Sequence, residues 1–430
     1  MKEQLTSNTE QSAIKVAMIV SDFPMLSQTF ILNQIVGLLE RGCEVDIYAE
    51  RGSNTDKIHP LVEKYDLLER TYYLPEIPEN LFVRFIKGIG LIIKYILICP
   101  RQLLRSLYPF PVTNLTISLW LLYTVIPNLN KNYDIIHCQF GTLCFRGMAF
   151  RQVNAPTAKI VTTFRGNDIS SFLKQKGENI YRQIFRYGDF FLTNCDFFKN
   201  KAISIGCPPD KIKVIRSGID GERFIYQPRS LSENEPIQIT TTGRLVDKKG
   251  IEYVIRAIAK LIPTYPNLRY KIIGEGLLRS RFTELIAELK LTENVRLMGW
   301  CNETEIVEIL KQTHLFVAPS ITAANGDRDA PINVLKEAMA IGLPVVSTYH
   351  GGIPELVEDG KSGFLVPERD ASALADRLGY LIEHPERWSQ MGSSGREFVL
   401  QHYNLQRLND DLVNVYRSLV NSDIMANNKT

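Results

Sequence analysis

"LFVAPSITAANGDRDAPINVLKEAMAIGLPVVST" covers residues 315–348 and reads as a strand, a loop, a helix and a second strand. Its first six residues form an apolar run that predicts a buried strand, and a polar loop containing glycine follows. Pro331 suits the first turn of a helix and Gly342 suits its end. The β-branched residues at 344–348 predict the next strand. A helix that joins two short buried strands is typical of a parallel sheet covered by helices on both faces.

The same alternation of strands and helices extends over most of the chain. Short apolar runs predict further strands at 14–21, 43–49, 133–140, 158–164, 189–194, 211–218, 237–243, 269–276, 294–300 and 363–366. A polar segment at 226–236, rich in turn-forming residues, predicts a linker between two α/β domains. The predicted organisation is a disordered tail at 1–12, a first domain at 13–225 with a helical insertion at 78–130, a second domain at 237–402, and a C-terminal helix with a tail at 403–430.

The composition excludes several classes of protein. The 430 residues are 45% hydrophobic, and their net charge of +3 by itself argues neither for nor against a nucleic-acid partner. Because the sequence shows no long basic tail and no RNA-binding signature, we expect no such partner. Seven cysteines are scattered without a Cys-x-x-Cys pair, which favours free thiols in a reducing cytoplasm. The N-terminus lacks the layout of a signal peptide. No Gly-x-Gly-x-x-Gly follows the first strand, which argues against a dinucleotide-dependent dehydrogenase.

Residues 81–125 depart from the alternation of strands and helices, because bulky apolar residues are interspersed there with basic ones. Arg84, Lys87 and Lys94 interrupt the most apolar stretch, so we do not expect a transmembrane helix. Two interpretations stand. The segment is either a basic apolar surface that contacts an anionic membrane, or a helical insertion that packs on the sheet with its charges in water.

"TTTGRLVDKKGIEYVI", residues 240–255, places a basic loop between the end of a strand and the start of a helix. Ligands of parallel α/β sheets bind at that end of the strands, where the first turn of a helix also offers unpaired N–H groups to an anion. Arg244 and Lys249 add two cations, and together these groups suit a diphosphate. The alternative is a solvated basic turn.

Asp329 and Glu337 lie eight positions apart, before and inside the predicted helix. Carboxylates at that spacing suit the hydroxyls at the two ends of a sugar nucleotide. The alternative is a helix-end acid stabilised by the helix dipole, together with a surface acid. Asp327 and Asp329 also form an Asp-x-Asp pair, but we expect no metal there. The glycines at 351–352 predict a close approach of the backbone to a ligand, and Glu355 is either a hydroxyl acceptor or a helix-start acid.

In combination, these motifs resemble the C-terminal signature of family 4 retaining glycosyltransferases. The segments that carry the resemblance are "GRLVDKKG" at 243–250, "DAPINVLKEAMAIGLPVVST" at 329–348 and "GGIPELVEDGKSGFLV" at 351–366. "SDFPMLSQTFILNQI" at 21–35, "DIIHCQFG" at 134–141 and "TTFRGNDIS" at 162–170 are similar to the branch that makes colanic acid and exopolysaccharides. The resemblance implies the GT-B fold, in which two Rossmann-like parallel-sheet domains face a cleft and a C-terminal helix crosses back to the first domain.

The resemblance also implies a metal-independent hexosyl transfer with retention at the anomeric carbon. A nucleotide sugar is the donor, a glycan or lipid-linked glycan is the acceptor, no cofactor is needed, and the enzyme is cytoplasmic or peripheral on the inner membrane face. The implied residues are Arg165, His137 and Asp168 for catalysis, Arg244 and Lys249 for the donor diphosphate, Glu337 for the ribose, and Asp329, Ala330, Pro331 and Ile332 for the donor sugar.

Four positions depart from the family pattern. Asp329 replaces the usual glutamate, Ala330 the usual glycine, Arg165 a histidine and Gln139 a second histidine. Arg165 stays protonated and so cannot act as a base, but it can stabilise charge on the departing phosphate. These departures predict either an altered choice of sugar or an inactive glycosyltransferase-like binding or scaffold protein.

Overall fold

The computed structural model describes residues 13–25, 28–52, 58–109, 119–126, 131–233 and 235–427. The predicted tail at 1–12 lies outside this range, as do parts of the predicted insertion. Within the described ranges, no helix combines the length and the hydropathy that a membrane crossing requires.

The first sheet has seven strands in the order β3-β2-β1-β4-β5-β6-β7. Their bounds are β1 Lys15–Phe23, β2 Glu44–Gly52, β3 Thr71–Tyr73, β4 Ile135–Cys138, β5 Lys159–Phe164, β6 Phe190–Thr193 and β7 Ile212–Val214. Neighbouring strands from β3 to β5 pair in parallel. The sequence failed to indicate only β3, because its three residues are largely exposed and lack an apolar run.

In the described part of this half of the chain, eight α-helices accompany these strands. They are α1 Thr29–Glu40, α2 Pro60–Lys64, α3 Leu81–Tyr95, α4 Pro100–Leu107, α5 Cys144–Asn154, α6 Ser171–Lys176, α7 Arg182–Tyr187 and α8 Asp196–Ser204. The described residues of the predicted insertion include the helices α3 and α4. Leu103 packs there with Leu122 and Tyr123 in a small buried cluster, which gives these helices one covered side.

The second sheet has six parallel strands in the order β10-β9-β8-β11-β12-β13. Their bounds are β8 Gln238–Thr242, β9 Arg269–Ile273, β10 Val295–Gly299, β11 Leu315–Ala318, β12 Val345–Thr348 and β13 Gly363–Val366. All six were predicted within a few residues. The fold class is confirmed, since the chain contains two parallel α/β sheets of seven and six strands.

Among the described residues after β8 there are seven α-helices. They are α9 Ile251–Leu261, α10 Arg279–Glu288, α11 Glu303–Lys311, α12 Asn333–Ile341, α13 Ala371–Glu383, α14 Trp388–His402 and α15 Leu405–Asn427. The prediction that α12 begins at Pro331 is wrong by two residues, because Ile332 is still extended and Pro331 lies in the loop. Glu337 therefore lies little more than one turn inside the helix.

Side chains of the second sheet alternate between two separate apolar cores. On β11, Leu315 and Val317 face the core that includes α9, α10 and α13, whereas Phe316 faces the core that includes α12 and α14. Strands buried on both faces read as continuous apolar runs, which is why these strands were visible in the sequence. Burial on both sides also fixes the ends of the strands, where the candidate site lies.

The chain divides into two compact units. The first contains Met1–Thr163, Gln183–Phe191 and Asn409–Thr430, and the second contains Phe164–Arg182 and Leu192–Leu408. Helix α15 therefore begins in the second unit and continues in the first, as expected of a C-terminal helix that returns to the N-terminal half. The division differs from the predicted linker at 226–236, which stays a prediction.

Candidate functional site

The strand order of the second sheet reverses between β8 and β11. These strands are neighbours, but the sheet continues from β8 through β9 and β10 in one direction and from β11 through β12 and β13 in the other. Such a reversal of strand order leaves a crevice at the carboxyl ends of the strands, where α/β proteins bind their ligands. The segments that leave β8 and β11 here contain the predicted Lys249 and Asp329, respectively.

Lysine and aspartate side chains from these two segments meet at the crevice. Lys249 Nζ lies 2.7 Å from Asp329 Oδ2, and Lys248 Nζ lies 3.2 Å from Asp329 Oδ1 and 2.9 Å from Asp327 Oδ2. Ser320 Oγ donates to Asp329 Oδ2 over 2.9 Å. Lys248, Lys249, Asp327 and Asp329 are called the lysine–aspartate cluster below. The structure thus brings the predicted Lys249 and Asp329 together, and it adds Lys248.

The lysine–aspartate cluster stays charged although it is largely covered. Burial alone would raise the pKa of Asp329, but Lys249 and Lys248 hold that pKa well below its ordinary value. Burial alone would lower the pKa of Lys248, but Asp329 and Asp327 outweigh this and raise it above its usual range. An opposite charge at this distance favours the ionised form of both partners. Asp329 and Lys248 therefore face each other as a carboxylate and an ammonium group at neutral pH.

The backbone of Asp329 is held on two sides. Its N–H donates to Nε2 of His350 over 2.9 Å, and Nδ1 of the same ring lies 2.6 Å from Glu368 Oε1. A Cβ added to Gly351 would lie 2.0 Å from the Asp329 carbonyl oxygen, and Gly351 has a φ of +50°. The glycines at 351–352 thus allow their own backbone to pack closely against the loop that contains Asp329. The predicted approach of these glycines to a ligand stays a prediction.

We expect the support of Asp329 by His350 to depend on pH. Nε2 accepts a hydrogen bond only in a neutral ring, and burial, opposed by Glu368, lowers the pKa of His350 below its ordinary 6.5. The unfolded chain therefore takes up this proton first, and the stabilisation is present above about pH 6.5 and lost as the pH falls below it. The melting temperature measured from pH 7.5 to 5.5 should fall more steeply for the wild type than for His350→Gln. Equal slopes would contradict this assignment.

The remaining residues predicted for the donor side flank the cluster along the chain. Arg244 follows β8 and is exposed to solvent. Ala330 and Ile332 are partly exposed, and Pro331 is buried, in the loop that leads into α12. These residues are placed at the carboxyl ends of β8 and β11, but their roles in binding stay predictions.

Glu337 lies on α12 and is partly exposed. Burial and the nearby Glu303 raise its pKa to about 7, opposed by Lys336. Lys336 is only 1% exposed, and it donates to the carbonyl oxygen of Ser217 over 2.8 Å. Burial lowers the pKa of Lys336 to about 7. Two groups that titrate near neutrality thus lie side by side at the start of this helix.

Arg165 and Asp168 lie together in the loop after β5. Asp168 Oδ1 accepts the backbone N–H groups of Arg165 over 3.0 Å and of Gly166 over 2.9 Å. Asn194 Nδ2 donates to the carbonyl oxygen of Arg165 over 3.0 Å. Asp168 therefore fixes the turn that carries Arg165, and both residues are buried. Their catalytic roles stay predictions.

His137 lies at the end of β4, inside the first unit, and is 0% exposed. Its Nδ1 lies 2.6 Å from the hydroxyl of Tyr416 on α15, and its Nε2 lies 2.7 Å from Thr163 Oγ1. Gln139 is equally buried and donates to Gln34 Oε1 over 3.2 Å. These contacts give His137 a clear part in packing α15 on β4, whereas its catalytic role stays a prediction.

Glu355 acts at the start of a helix other than its own. Its carboxylate accepts the backbone N–H groups of Asp196 over 2.8 Å and Phe197 over 2.7 Å, at the first turn of α8. Arg216 Nη2 lies 3.7 Å from the same carboxylate. Of the two predicted roles, these contacts match the helix-start acid.

Sequence patterns indicated no functional role for Lys248, His350 or Lys336. Lys248 was visible only as the second basic residue of "DKKG", a pattern that is equally common in solvated turns. Among the described residues, no group of histidine, cysteine, aspartate and glutamate side chains is arranged to hold a metal ion. The Asp-x-Asp pair instead contacts lysines.

Comparisons with known proteins match most of the chain. The glycosyltransferase family 4 domain matches residues 27–223, and the glycosyl transferases group 1 domain matches residues 222–398. WcaL of Salmonella typhimurium, provisionally named a colanic acid biosynthesis glycosyltransferase, is 33% identical over 94% of this chain and 100% of its own length. AmsK of Erwinia amylovora, named an amylovoran biosynthesis glycosyltransferase, is 33% identical over 84% of this chain and 89% of its own.

Solved structures agree on the fold. HepE of Anabaena in complex with UDP and glucose superposes with a TM-score of 0.68 at 17% identity, covering 94% of this chain and 100% of its own. A glycosyltransferase of Rickettsia africae superposes with a TM-score of 0.66 at 18% identity over 95% of this chain and 99% of its own. Together with the relatives in sequence, these matches show that the protein belongs to the family 4 glycosyltransferases of the GT-B fold, among the homologues that build exopolysaccharides.

Proposed function

We propose that this enzyme moves a hexose from a nucleoside-diphosphate sugar to a hydroxyl of a glycan during exopolysaccharide assembly. The observation that carries the proposal is the meeting of Lys248, Lys249 and Asp329 at the crevice between β8 and β11. Cations at the carboxyl ends of parallel strands, next to the first turn of α9, suit a diphosphate. The names of WcaL and AmsK, and the UDP bound to HepE, support the same class of reaction.

The transfer breaks the bond between the anomeric carbon and the diphosphate oxygen and forms a bond from that carbon to the acceptor oxygen. The electron pair of the broken bond stays with the diphosphate, which also takes the proton of the acceptor hydroxyl. Arg244 and Lys249 stabilise the charge that develops on this leaving group. Because the diphosphate itself accepts the proton, the enzyme needs no strong base, so the buried His137 and the protonated Arg165 are compatible with turnover.

Retention at the anomeric carbon is part of the proposal. A two-step retaining reaction needs a carboxylate free to attack the anomeric carbon. Asp329 is already bound by two ammonium groups and Ser320, and such a carboxylate is a poor nucleophile. No protein nucleophile is needed if the acceptor attacks the anomeric carbon from the same face of the sugar as the one from which the diphosphate leaves.

Glu337 is proposed to accept the ribose hydroxyls of the donor. It lies on α12 with partial exposure, directly after the loop at 330–332 that we assign to the donor sugar. An ionised carboxylate accepts two hydroxyl hydrogen bonds at once, whereas a protonated one gives up part of that capacity. Its pKa of about 7 makes this role sensitive to pH.

The acceptor is proposed to be a lipid-linked glycan, met by a cytoplasmic enzyme at the inner membrane face. Helices α3 and α4 carry five basic residues, and the chain has no acidic residue between 80 and 133. Phe82 is 72% exposed, Ile93 70% and Leu97 91%. The exposed apolar and basic side chains of residues 81–108 are called the basic apolar surface below. One side of α3 and α4 is covered by the small buried cluster, and the exposed basic apolar surface suits the interface of an anionic membrane.

A screen of nucleotide sugars tests the proposed transfer. Purified protein is mixed with UDP-, GDP- and ADP-sugars, and the melting temperature and the release of free nucleotide are measured with and without EDTA. We expect one class of donor to stabilise the protein, to be slowly hydrolysed, and to give equal rates with EDTA, because arginine and lysine meet the phosphate charge. Arg244→Ala should weaken donor binding about tenfold, as expected for the loss of one charge-assisted contact. Arg256→Ala on α9 is the matched control.

A protein that binds none of these donors would contradict the proposal. Asp329, Gln139 and Arg165 would then mark a donor site that has decayed, and a binding or scaffold role would replace catalysis. Complete loss of nucleotide release in EDTA, restored by Mg²⁺, would contradict metal independence alone.

A further inference from the structure

Both carboxylate oxygens of Asp329 are bound by other side chains. Asp329 Oδ1 is bound by Lys248, and Asp329 Oδ2 is bound by Lys249 and Ser320. Lys248 also binds Asp327. The side chains of the four cluster residues are between 9% and 17% exposed, so water screens their charges weakly. The cluster is balanced as it stands, with two positive and two negative charges.

This balance conflicts with the role proposed for Lys249. A lysine that binds the donor diphosphate has to turn away, at least in part, from Asp329. A carboxylate on a side chain that is 9% exposed is strongly destabilised when it loses its ion pair, because a buried charge without a partner is unfavourable. Asp329 therefore needs a second cation that stays in place when Lys249 turns to the phosphate.

Asp329 cannot follow Lys249 toward the diphosphate. Its N–H is bound to His350, and its carbonyl oxygen is packed against Gly351, as described above. Lys248 is equally fixed, since its carbonyl oxygen accepts the N–H of Ile321 over 2.9 Å and its ammonium group is anchored by Asp327. The ion pair of Lys248 and Asp329 is thus fixed in place, and Lys249 contacts it only at Oδ2 of Asp329.

We propose that Lys248 is a positioning residue that neutralises Asp329 when a donor diphosphate draws Lys249 away, so that Lys249 is available to the donor. The inference rests on the proposed function, because it assumes that the crevice binds a nucleoside diphosphate. Asp329 then has the role of binding the two lysines, and this role is separate from any contact that Asp329 makes with the donor sugar. Lys248 acts through Lys249 and does not itself bind the phosphate.

UDP binding by calorimetry tests this arrangement, because UDP carries the diphosphate without the sugar. If UDP is not the nucleotide selected in the donor screen, the matching diphosphate is used. Lys248→Met should weaken binding about tenfold, the scale of one charge-assisted hydrogen bond, because Asp329 then retains Lys249. Asp329→Asn should strengthen binding several-fold, because Lys249 is released. The double variant should return to within about threefold of the wild type. Lys260→Met on α9 is the matched control and should bind as the wild type does.

Rescue in the double variant is the decisive result. If Lys248 were a direct ligand of the phosphate, Lys248→Met would stay weak in the Asp329→Asn background, and the proposal would be overturned. Asp329→Asn gives an independent answer should Lys248→Met not fold, since unchanged or weaker UDP binding would also overturn it. A wild type that binds no nucleoside diphosphate would instead remove the proposed function, and the inference with it.

Discussion

Glu337→Ala is expected to lower kcat/KM for the donor about a hundredfold, because it removes the two charge-assisted hydrogen bonds proposed between its carboxylate and the ribose, worth roughly 1.5 kcal/mol each. Glu337→Gln keeps the shape and part of the hydrogen bonding, so its loss should be smaller. Initial rates of nucleotide release at varied donor concentration give kcat and KM separately. The loss should fall mainly on KM, since the ribose lies away from the bond that breaks.

The affinity for the donor should also rise with pH. The pKa of Glu337 is raised to about 7, first by burial and then by Glu303, while Lys336 opposes the shift. The carboxyl is thus mostly protonated at pH 6 and mostly ionised at pH 8, so affinity should increase up to about tenfold over this interval. Glu337→Gln should remove the increase, and Glu303→Gln should move it to lower pH. Lys336 loses its charge over the same interval, and these two variants separate its contribution.

A wild type whose donor affinity is constant from pH 6 to 8 would contradict the ribose assignment. The same conclusion would follow if Glu337→Ala bound the donor as tightly as the wild type. In that case Glu337 would be a carboxyl kept largely neutral inside α12, and its effect would appear in the melting temperature alone.

The fold was readable from the sequence because its determinants are local. Strands covered on both faces need unbroken apolar runs, as at 315–320 and 344–348. The error at α12 has a tertiary cause, because a Cβ added to Gly352 would lie 2.5 Å from the ring of Pro331. Pro331 is thus packed closely against the backbone of Gly352, a contact distant in sequence that its suitability for a first turn could not reveal. The three-residue strand β3 carries too few buried side chains to leave a pattern.

The candidate site was only partly readable, because its charges are set by groups distant in sequence. Lys249 and Asp329 could be placed at the ends of two neighbouring strands, and they do meet. Their ion pair was not predictable, since a basic loop and an acidic loop each look solvated by themselves. Lys248 had no signal beyond its position next to Lys249. The burial of His137 against Tyr416 was equally hidden, because 279 residues separate the two.

Removing apolar side chains from the basic apolar surface is expected to abolish binding to anionic vesicles. The combined variant Phe85→Asn, Ile93→Asn, Leu97→Asn changes three side chains that are 55%, 70% and 91% exposed. Each apolar side chain that enters the membrane interface contributes roughly 1.5 kcal/mol or more, so their loss should weaken binding more than a hundredfold. Because all three are exposed, the melting temperature should change little. Leu277→Asn, at a side chain that is 94% exposed in the second unit, is the matched control.

The same vesicle-binding experiment also tests the charges of the basic apolar surface. Lys87→Gln with Arg101→Gln should weaken binding about thirtyfold, since each basic residue near an anionic surface contributes about 1 kcal/mol. The effect should appear on vesicles of phosphatidylglycerol with phosphatidylcholine and vanish on phosphatidylcholine alone or in high salt. Co-sedimentation measures both arms. If the wild type stays in the supernatant with anionic vesicles, the exposed apolar side chains of α3 and α4 are not a membrane contact. The acceptor would then have to reach the enzyme without a lipid surface.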